Sequence, residues 1–387
     1  MYAQSSSLGI APHGGALVDL ASGDGRSSKG LPSVEITSRN LSDLYLLATG
    51  AFSPLRGFMR FDDARSIVER LELNDGALWP IPILLQLSSL EAEKINAGAT
   101  VALSFNGTTV GTIRVEERFR VPLSAWASAI YKTADSAHPG VDAFLRAGEM
   151  AIAGPVTWLG DARELGLTGL TPIETRAEAA KRGWSTLVGF QTRNPIHRAH
   201  EYILRTALET IDGLLLHPLV GDTRGEDVPA DVRLRCYDVL IENYLPQSRV
   251  LFSTFHGWMR YGGPREAVLH AIVRKNFGCT HFLVGRDHAG VGKYYGPFEA
   301  QALLRSIPAE RLGIRPIFFD AIFYCMRCQS MATSRTCAHS VDHQLSLSGT
   351  EVRRRLNANE PLPQEVTRPE VAAVLRESYR QAAVAGA

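Results

Sequence analysis

The second half of the chain alternates short apolar segments with amphipathic segments, and this pattern constrains the fold more than any other feature of the sequence. The apolar segments predict buried strands, and the segments between them repeat apolar residues with the period of an α-helix. Strands that alternate with helices predict a parallel sheet, whose ligands bind beyond the carboxyl ends of its strands. The predicted strands are 185–190, 213–220, 249–253, 280–285 and 314–320, and the predicted helices are 174–182, 200–211, 230–244, 264–277 and 298–307.

The residues before this alternation have a different pattern, in which Gly, Pro or Asn residues bound short apolar segments. These segments predict strands at 81–86, 100–105 and 111–115. Asn106 and Gly107 separate the last two segments and predict a tight hairpin, because both residues tolerate a positive φ. We therefore expect a compact β-rich domain with a few helices in front of the parallel sheet.

The composition excludes several classes of protein. With 41 basic and 40 acidic side chains the formal net charge is +1, which excludes a broad positive field for nucleic acid. No apolar run approaches the roughly 18 residues of a membrane span, and the N-terminus lacks the basic and apolar regions of a secretion signal. We expect a multidomain protein of the cytoplasm that binds neither nucleic acid nor membrane.

The segment QTRNPIHRAH, which begins at Gln191, directly follows the first predicted strand of the sheet and opens the next helix. His197 and His200 are three positions apart and share one face at the helix N-terminus, where free N–H groups favour an anion. Arg193 adds a planar fork for phosphate or sulfate, and Gln191 and Asn194 add neutral donors. The segment predicts an anion site; the structural alternative is a capped helix start with two surface histidines.

The segment GRDHAG, residues 285–290, follows another predicted strand. Its glycines let the backbone approach a ligand closely, and Arg286 offers a charge that neutralises an oxyanion. An ordinary glycine turn with exposed charges explains the segment equally well when it is taken alone. Its place at a second strand end, beside the first segment, favours ligand binding.

Two loop segments allow two interpretations each. Asp222, Arg224 and Asp227 either order a loop over the site and help to hold a metal–nucleotide complex, or form a solvated loop in which Asp227 caps the next helix. In the segment MRYGGPREA, Arg260 and Arg265 offer positive charge to an anion, while the proline is typical of the first turn of a helix.

The segment SGTEVR, residues 348–353, opens a predicted helix. Ser and Thr at a helix start, with Arg one turn later, suit a phosphate and suit a plain N-cap equally well. The sequence leaves both interpretations open.

Three of the five cysteines, Cys325, Cys328 and Cys337, share one short segment with His339 and His343. Thiolates at this spacing, with one histidine, predict a tetrahedral Cys₃His zinc site. A closed site of this kind has no open position, so its role is structural. Free buried cysteines are the alternative, and the spacing does not decide which histidine is the fourth ligand.

Taken together, these segments resemble the ATP sulfurylase (sulfate adenylyltransferase) family. QTRNPIHRAH matches the family motif QxRNPxHxxH without departure, and GRDHAG matches its second motif. HPLVGDTRGEDVP, MRYGGPREA and the stretch 43–59 are similar to further family segments, so the resemblance extends from about residue 14 to residue 376. The Cys/His segment resembles the zinc-binding variant of some prokaryotic members.

The resemblance implies an α/β fold with a defined domain order. A PUA-like, β-rich domain (1–165) precedes a Rossmann-like catalytic domain (166–323) of the HxGH nucleotidyltransferase type, with its parallel sheet. A small C-terminal region (324–387) follows, with the metal site and helices. The resemblance also implies a homo-oligomer, with a dimer favoured. No P-loop GxxxxGK[ST] occurs, so we expect no fused APS kinase.

The reaction that the resemblance implies joins MgATP and sulfate to give adenosine 5′-phosphosulfate (APS) and diphosphate, or runs in reverse to make ATP. Sulfate attacks the α-phosphorus in line, and because sulfate is already an anion no general base is needed. The implied sulfate ligands are Gln191, Arg193 and the backbone around Ala289. The implied catalytic residues are Thr192, Arg193, Asn194, His197 and His200. The implied nucleotide-binding residues are Gln191, Thr192, Arg193, Asn194, His197, His200, Gly285, Arg286, Asp287 and His288.

Three other functions fit parts of the sequence. Another HxGH-type adenylyltransferase, with a different anionic acceptor, shares the first motif. An RNA-binding protein fits a PUA-like domain with a zinc knot, but the near-zero net charge disfavours it. A catalytically inactive homologue is disfavoured because the polar residues of both main motifs are complete.

Overall fold

The first sheet of the chain is built around its long last strand. The computed structural model describes residues 8–20, 28–221 and 228–385. The strands of this sheet are β1 (Ser33–Glu35), β2 (Gly57–Phe58), β3 (Leu85–Leu87), β4 (Thr100–Phe105), β5 (Thr108–Arg114), β6 (Glu117–Arg120) and β7 (Met150–Trp158). The helices beside them are α1 (Ser38–Ala48), α2 (Phe61–Arg70), α3 (Ser89–Glu93), α4 (Leu123–Tyr131) and α5 (Pro139–Arg146). Strand β7 pairs with β2, β3, β5 and β6, and β4 joins β5 to β1.

The predicted hairpin in this sheet is confirmed, whereas the strand predicted before it is largely wrong. Asn106 and Gly107 have φ values of 49° and 75° and connect the antiparallel strands β4 and β5. Of the segment 81–86, only the last two residues lie in a strand. Pro82 lacks the N–H that a ladder needs, and the Ile83 carbonyl accepts from the N–H of Met59 outside the ladder.

The second sheet is entirely parallel, as the alternation of segments predicts. Its strands are β8 (Leu187–Phe190), β9 (Gly213–Leu216), β10 (Val250–Phe252), β11 (His281–Val284) and β12 (Arg315–Phe318). Helix α6 (Pro172–Lys181) precedes the sheet, and the helices between its strands are α7 (Arg198–Leu208), α8 (Ala230–Tyr244), α9 (Gly263–Asn276), α10 (Glu299–Ser306) and α11 (Ala309–Leu312). All residues of β8 and β9 are buried, because helices cover both faces of the sheet.

The strand order of the second sheet defines where a ligand can bind. The order is β10-β9-β8-β11-β12, and every neighbouring pair is parallel. The chain proceeds outward from β8 through β9 to β10, then returns to place β11 on the other side of β8. Such a reversal leaves a crevice at the carboxyl ends of the two central strands. The segments after β8 and β11 are the two main motifs of the sequence.

A small antiparallel sheet and two helices complete the described chain. The strands β13 (Ile322–Cys325), β14 (Ser330–Thr333) and β15 (Gln344–Leu345) form what we call the Cys/His module, residues 322–345. Helices α12 (Gly349–Asn357) and α13 (Pro369–Ala385) follow, and α13 packs on α8. None of the helices in the described ranges is long and apolar enough to cross a membrane. The domain boundaries at 165/166 and 323/324 stay predictions.

Helix α9 joins the two large sheets. All but one of its residues are buried. Asn276 at its end donates to the carbonyls of Ala51 and Ser53, at 3.0 Å each. Arg265 at its start donates to the carbonyls of Ile67 and Val68. The N-terminal region therefore supports the helix that lies beneath the crevice.

Candidate active site

The loops after β8 and β11 border an open cleft with a volume of about 280 Å³. This is the crevice that the strand order creates, and most of the predicted site residues meet there. The predicted residues that line it are Gln191, Thr192, Arg193, Asn194, His200, Gly285, Arg286, Asp287, His288 and Ala289. The predicted residues Asp222, Arg224 and Asp227 lie outside the described residues.

Helix α8 fixes the backbone of the first loop. The buried guanidinium of Arg233 donates to the carbonyls of Arg193, at 3.0 Å, and Leu219, at 2.7 Å. The hydroxyl of Tyr237 donates to the carbonyl of Asn194 at 3.1 Å. Sequence reasoning missed both residues, because their only signal is a polar group on the apolar side of an amphipathic helix.

The side chain of Arg193 has an aromatic support within the cleft. Its guanidinium carbon lies 5.1 Å from the ring centroid of Tyr261, which favours a cation. Tyr261 itself has a φ of 57°, in the left-handed region that a bulky residue rarely adopts. A strained backbone here indicates that the surrounding structure holds this ring against Arg193.

The two arginines of MRYGGPREA do not face the cleft, which corrects their interpretation as ligands of an anion. Arg260 forms a buried ion pair with Asp43 of α1. Arg265 donates to backbone carbonyls of the N-terminal region. Met259 of the same segment does line the cleft, and the proline lies in the first turn of α9. The segment therefore connects domains as well as bordering the site.

His197 and His200 stack on each other at the start of α7, with ring centroids 3.8 Å apart. Burial lowers the pKa of His197 to about 4, and burial together with His197 lowers the pKa of His200 well below its ordinary value. His200 Nδ1 is buried and has no hydrogen-bond partner among the described residues. Two neutral imidazoles thus lie where the helix N-terminus favours an anion.

The second loop is a tight turn with two residues in the left-handed region. Asp287 and Ala289 have φ values of 55° and 57°. A Cβ at Gly290 would lie 2.1 Å from Asp287 Oδ1, so a larger residue there would force the Asp287 carboxylate to turn away. The turn exposes Arg286 at the rim of the cleft and directs His288 inward, toward His270 of α9.

A second cavity, of about 230 Å³, lies next to His197. It is bounded by Asn194 and His197, by the Cys/His module and by α12. Its lining is mostly apolar, with Ile322 and Phe323 among its members. Sequence reasoning missed this cavity, because it is built from segments that lie more than a hundred residues apart.

The segment SGTEVR begins α12 and borders this second cavity. The Ser348 hydroxyl accepts from the N–H of Glu351 at 3.1 Å, so the N-cap interpretation is confirmed. Gly349 and Arg353 also line the cavity. Both interpretations of the segment are therefore compatible with its position.

Four of the predicted metal ligands converge in the Cys/His module. One ligand atom from each of Cys325, Cys328, Cys337 and His339 lies within 4.8 Å of all the others. His339 Nδ1 is 3.4, 3.2 and 3.7 Å from the three Sγ atoms in that order, and the Sγ atoms of Cys328 and Cys337 are 3.9 Å apart. A tetrahedral site with Zn–S bonds of about 2.3 Å has edges of about 3.5–3.8 Å. The donor set fits zinc, and His343 is not part of this group.

Two family models match this chain, and curated proteins that share one name are similar to it. The family model "ATP-sulfurylase" matches residues 168–378, and the model "PUA-like domain" matches residues 10–161. Sulfate adenylyltransferases of Chloroflexus aurantiacus and Symbiobacterium thermophilum are each 50% identical to the chain. The first alignment covers 98% of the chain and 100% of the relative, and the second covers 97% of each.

A solved structure has a similar fold. It is described as a hexameric APS kinase from Thiobacillus denitrificans, and it superposes with a TM-score of 0.73 and 26% identity. The match covers 95% of this chain and 68% of that one. The predicted fold class, a PUA-like domain before an α/β domain with a parallel sheet, is confirmed. With half of its residues shared over nearly the full length of curated relatives, the chain belongs to the ATP-sulfurylase family.

Proposed function

We infer that the chain is a sulfate adenylyltransferase, which converts MgATP and sulfate into APS and diphosphate. The observation that carries this inference is the meeting of QTRNPIHRAH and GRDHAG in one cleft at the crevice between β8 and β11. The relatives named sulfate adenylyltransferase support the same activity. An adenylyltransferase with a different anionic acceptor is not favoured.

We propose that sulfate binds at the polar end of the cleft. Gln191, Arg193 and the backbone around Ala289 line this end, and the only full positive charge among the three is the guanidinium. Arg193 can bind two sulfate oxygens at once, and Tyr261 limits the directions that its side chain can take. Because sulfate is already an anion, the enzyme needs to position it rather than to deprotonate it.

The nucleotide then lies across the two cavities, with its phosphates near the stacked histidines. His197 borders the apolar cavity and His200 borders the polar cleft, so the pair marks the boundary between them. A purine base suits the apolar cavity, and the phosphates suit the start of α7. Thr192 and Asn194 shape the loop, and residues 285–288 border the nucleotide from β11.

Catalysis in this arrangement is electrostatic. The in-line attack concentrates negative charge on the α-phosphoryl group and on the leaving diphosphate. Neutral histidines next to bound phosphates gain affinity for a proton, because the anion favours the charged imidazole. His197 and His200 are therefore placed to donate hydrogen bonds to the phosphoryl oxygens as the charge develops.

We propose that the Cys/His module holds a structural zinc ion through Cys325, Cys328, Cys337 and His339. All four positions are filled by protein, so the ion would have no place for substrate. The ion would hold β13 beside the apolar cavity through Ile322 and Phe323. The homo-oligomer that the family resemblance implies stays a prediction.

The test is molybdate-dependent release of AMP and diphosphate from MgATP. Molybdate replaces sulfate, but its adenylate hydrolyses and pulls the reaction forward. We expect turnover that sulfate inhibits competitively and that His197→Ala abolishes in a folded protein. A folded, magnesium-supplied chain that releases no diphosphate with either anion would contradict the proposed function.

A further inference from the structure

One buried arginine near the cleft differs from the other buried arginines that the structure describes. Arg274 of α9 is fully buried, yet its Nε and Nη1 atoms have no hydrogen-bond partner among the described residues. Its Nη2 atom reaches only the carbonyl of His217, at a distance of 3.5 Å. By contrast, Arg176 and Arg233 each donate to several backbone carbonyls, and Arg260 pairs with a carboxylate. The charge of Arg274 therefore lacks the compensation that these three side chains have.

A glycine in the central strand makes room for the Arg274 side chain. A Cβ at Gly189 of β8 would lie 2.7 Å from Arg274 Cγ and 3.2 Å from its Cβ, so a larger residue would displace the arginine. The side chain passes against β8 and ends at His217, the residue directly after β9. Its guanidinium carbon lies 4.3 Å from the ring centroid of Phe255, whose face favours a cation. The guanidinium thus lies at the carboxyl ends of the strands that carry the cleft.

The guanidinium is charged in this environment. Burial lowers the pKa of Arg274 to about 9, which is still above neutral pH. Burial also raises the pKa of the neighbouring Cys279 thiol to about 12, so this thiol is neutral and does not compensate the charge. His288 lines the cleft, and burial lowers its pKa to about 3, with the charges of His270 and Arg274 acting in the same direction. The electrostatic effect of Arg274 therefore extends to the wall of the cleft.

A charge that is buried without a partner destabilises a folded protein, because it loses its hydration and gains no ion pair. An anion close by offsets this cost, and the attraction is strong where the protein excludes water, since the effective dielectric constant is low there. The proposed function brings two anions, sulfate and the phosphates of ATP, into the cleft beside Arg274. Binding of these anions supplies the negative charge that the described surroundings of Arg274 do not.

We propose that Arg274 is a second source of positive charge for sulfate, which attracts the anion through the electrostatic field of its buried guanidinium and not by contact. This rests on the proposed function, in which sulfate binds at the polar end of the cleft. Arg193 lines the cleft and contacts the anion, whereas Arg274 is fully buried and does not touch it. Arg274 is thus a positioning residue, which favours a divalent anion at the place that Arg193 defines.

The charge of the ligand tests this role, because the energy between two charges is proportional to each of them. Sulfate, with two negative charges, and chlorate, with one, are compared as competitive inhibitors of the molybdate-dependent release of AMP. Arg274→Met keeps the apolar length of the side chain and removes the charge. We expect the inhibition constant to rise about tenfold for sulfate and about threefold for chlorate, since doubling the charge squares the factor. Arg274→Lys keeps the charge, and both constants should stay within about twofold of the wild type.

Thermal unfolding separates this role from a structural one. Removal of an unpaired buried charge should leave the melting temperature of ligand-free Arg274→Met unchanged or raise it. Arg176→Met is the matched control, because Arg176 is also buried but donates to the carbonyls of Lys275 and Asn276 at the end of α9. We expect this variant to lower the melting temperature and to change the two inhibition constants by equal factors.

Equal factors for sulfate and chlorate in Arg274→Met would overturn the electrostatic role, as would an Arg274→Lys variant that binds sulfate as poorly as Arg274→Met does. A melting temperature that falls as far in Arg274→Met as in Arg176→Met would also overturn it. If Arg274→Met does not fold, Arg274→Gln takes its place, and the same comparison of the two anions decides. A wild-type chain that neither turns over molybdate nor binds sulfate would instead reject the proposed function, and this inference would fall with it.

Discussion

The active-site cleft and the Cys/His module are held together in different ways, although each brings separate segments to one place. The cleft lies on strands whose side chains are buried on both faces, and α8 fixes its first loop through Arg233 and Tyr237. The module has a hydrophobic cluster of only three buried residues, Phe323, Cys325 and Ala332. One of these three is itself a ligand of the proposed metal.

This difference shows what fixes the positions of the side chains in each region. In the cleft, a large apolar core fixes the backbone, and polar groups such as Arg193 are presented on it. In the module, the core is too small to order three strands, so the ligands must do so through the ion. We therefore expect the cleft to tolerate the loss of a side chain, and the module to lose its structure when the ion is removed.

Removal of the metal should have the largest effect. Binding of a structural zinc ion contributes about 10 kcal/mol or more to the folding of a small metal-dependent unit. Treatment with a chelator should make amides in 322–345 exchange rapidly, while amides of β8 and β11 stay protected. Because Ile322 and Phe323 line the apolar cavity, the KM for ATP should rise as well. Hydrogen exchange and steady-state kinetics measure these effects.

The matched control for this prediction uses the other cysteines. Cys328→Ser should lower the bound metal well below one ion per chain. Cys236→Ser, in a buried cysteine of α8, should leave the metal content unchanged. Equal metal contents in the two variants would contradict the assignment of the site.

Loss of the Arg193 side chain should have the largest effect on the cleft. Removing the guanidinium leaves sulfate without its charged ligand, and we expect turnover to fall about a thousandfold, or roughly 4 kcal/mol in activation free energy. The melting temperature should change little, because the backbone of this loop is held by Arg233 and Tyr237 rather than by this side chain. Near-normal turnover of a folded Arg193→Ala variant would remove Arg193 from the mechanism.

Loss of Asp43 should damage the support beneath the cleft. Asp43→Ala leaves Arg260 buried without its carboxylate, and breaking a buried pair in this way costs about 3 kcal/mol of unfolding free energy. Denaturant unfolding measures this loss. Asp142→Ala is the control, since Asp142 pairs with an exposed arginine on the surface of α5 and should cost less than about 1 kcal/mol. Equal losses in both variants would contradict a supporting role for the buried pair.

The sequence predicted these regions to different degrees, for physical reasons. The periodicity of apolar residues located every strand of the parallel sheet, but the alternation of segments does not give the strand order that places β11 beside β8. The strand predicted at 81–86 was largely wrong, because composition alone does not show that Pro82 and Ile83 make no hydrogen bonds to a neighbouring strand. Arg233 and Tyr237 could not be found, because their role depends on contacts between α8 and a distant loop. The choice of His339 over His343 also required three-dimensional distances.

The smallest predicted effect concerns pH, and it distinguishes the stacked histidines at the start of α7 from their neighbours. Burial lowers the pKa of His197 from 6.5 to about 4, so the native protein binds fewer protons than the unfolded chain between these values. The free energy of unfolding then has its full value above about pH 6.5. It falls as the pH decreases toward 4, because only the unfolded chain takes up the proton. At pH 5.5 this single histidine should lower the free energy of unfolding by about 1 kcal/mol relative to pH 7.

His197→Asn should remove that part of the pH dependence, whereas Asn194→Ala, in the same loop, should leave it intact. If both variants lose stability between pH 7 and pH 5.5 as the wild type does, His197 is not held neutral by its burial.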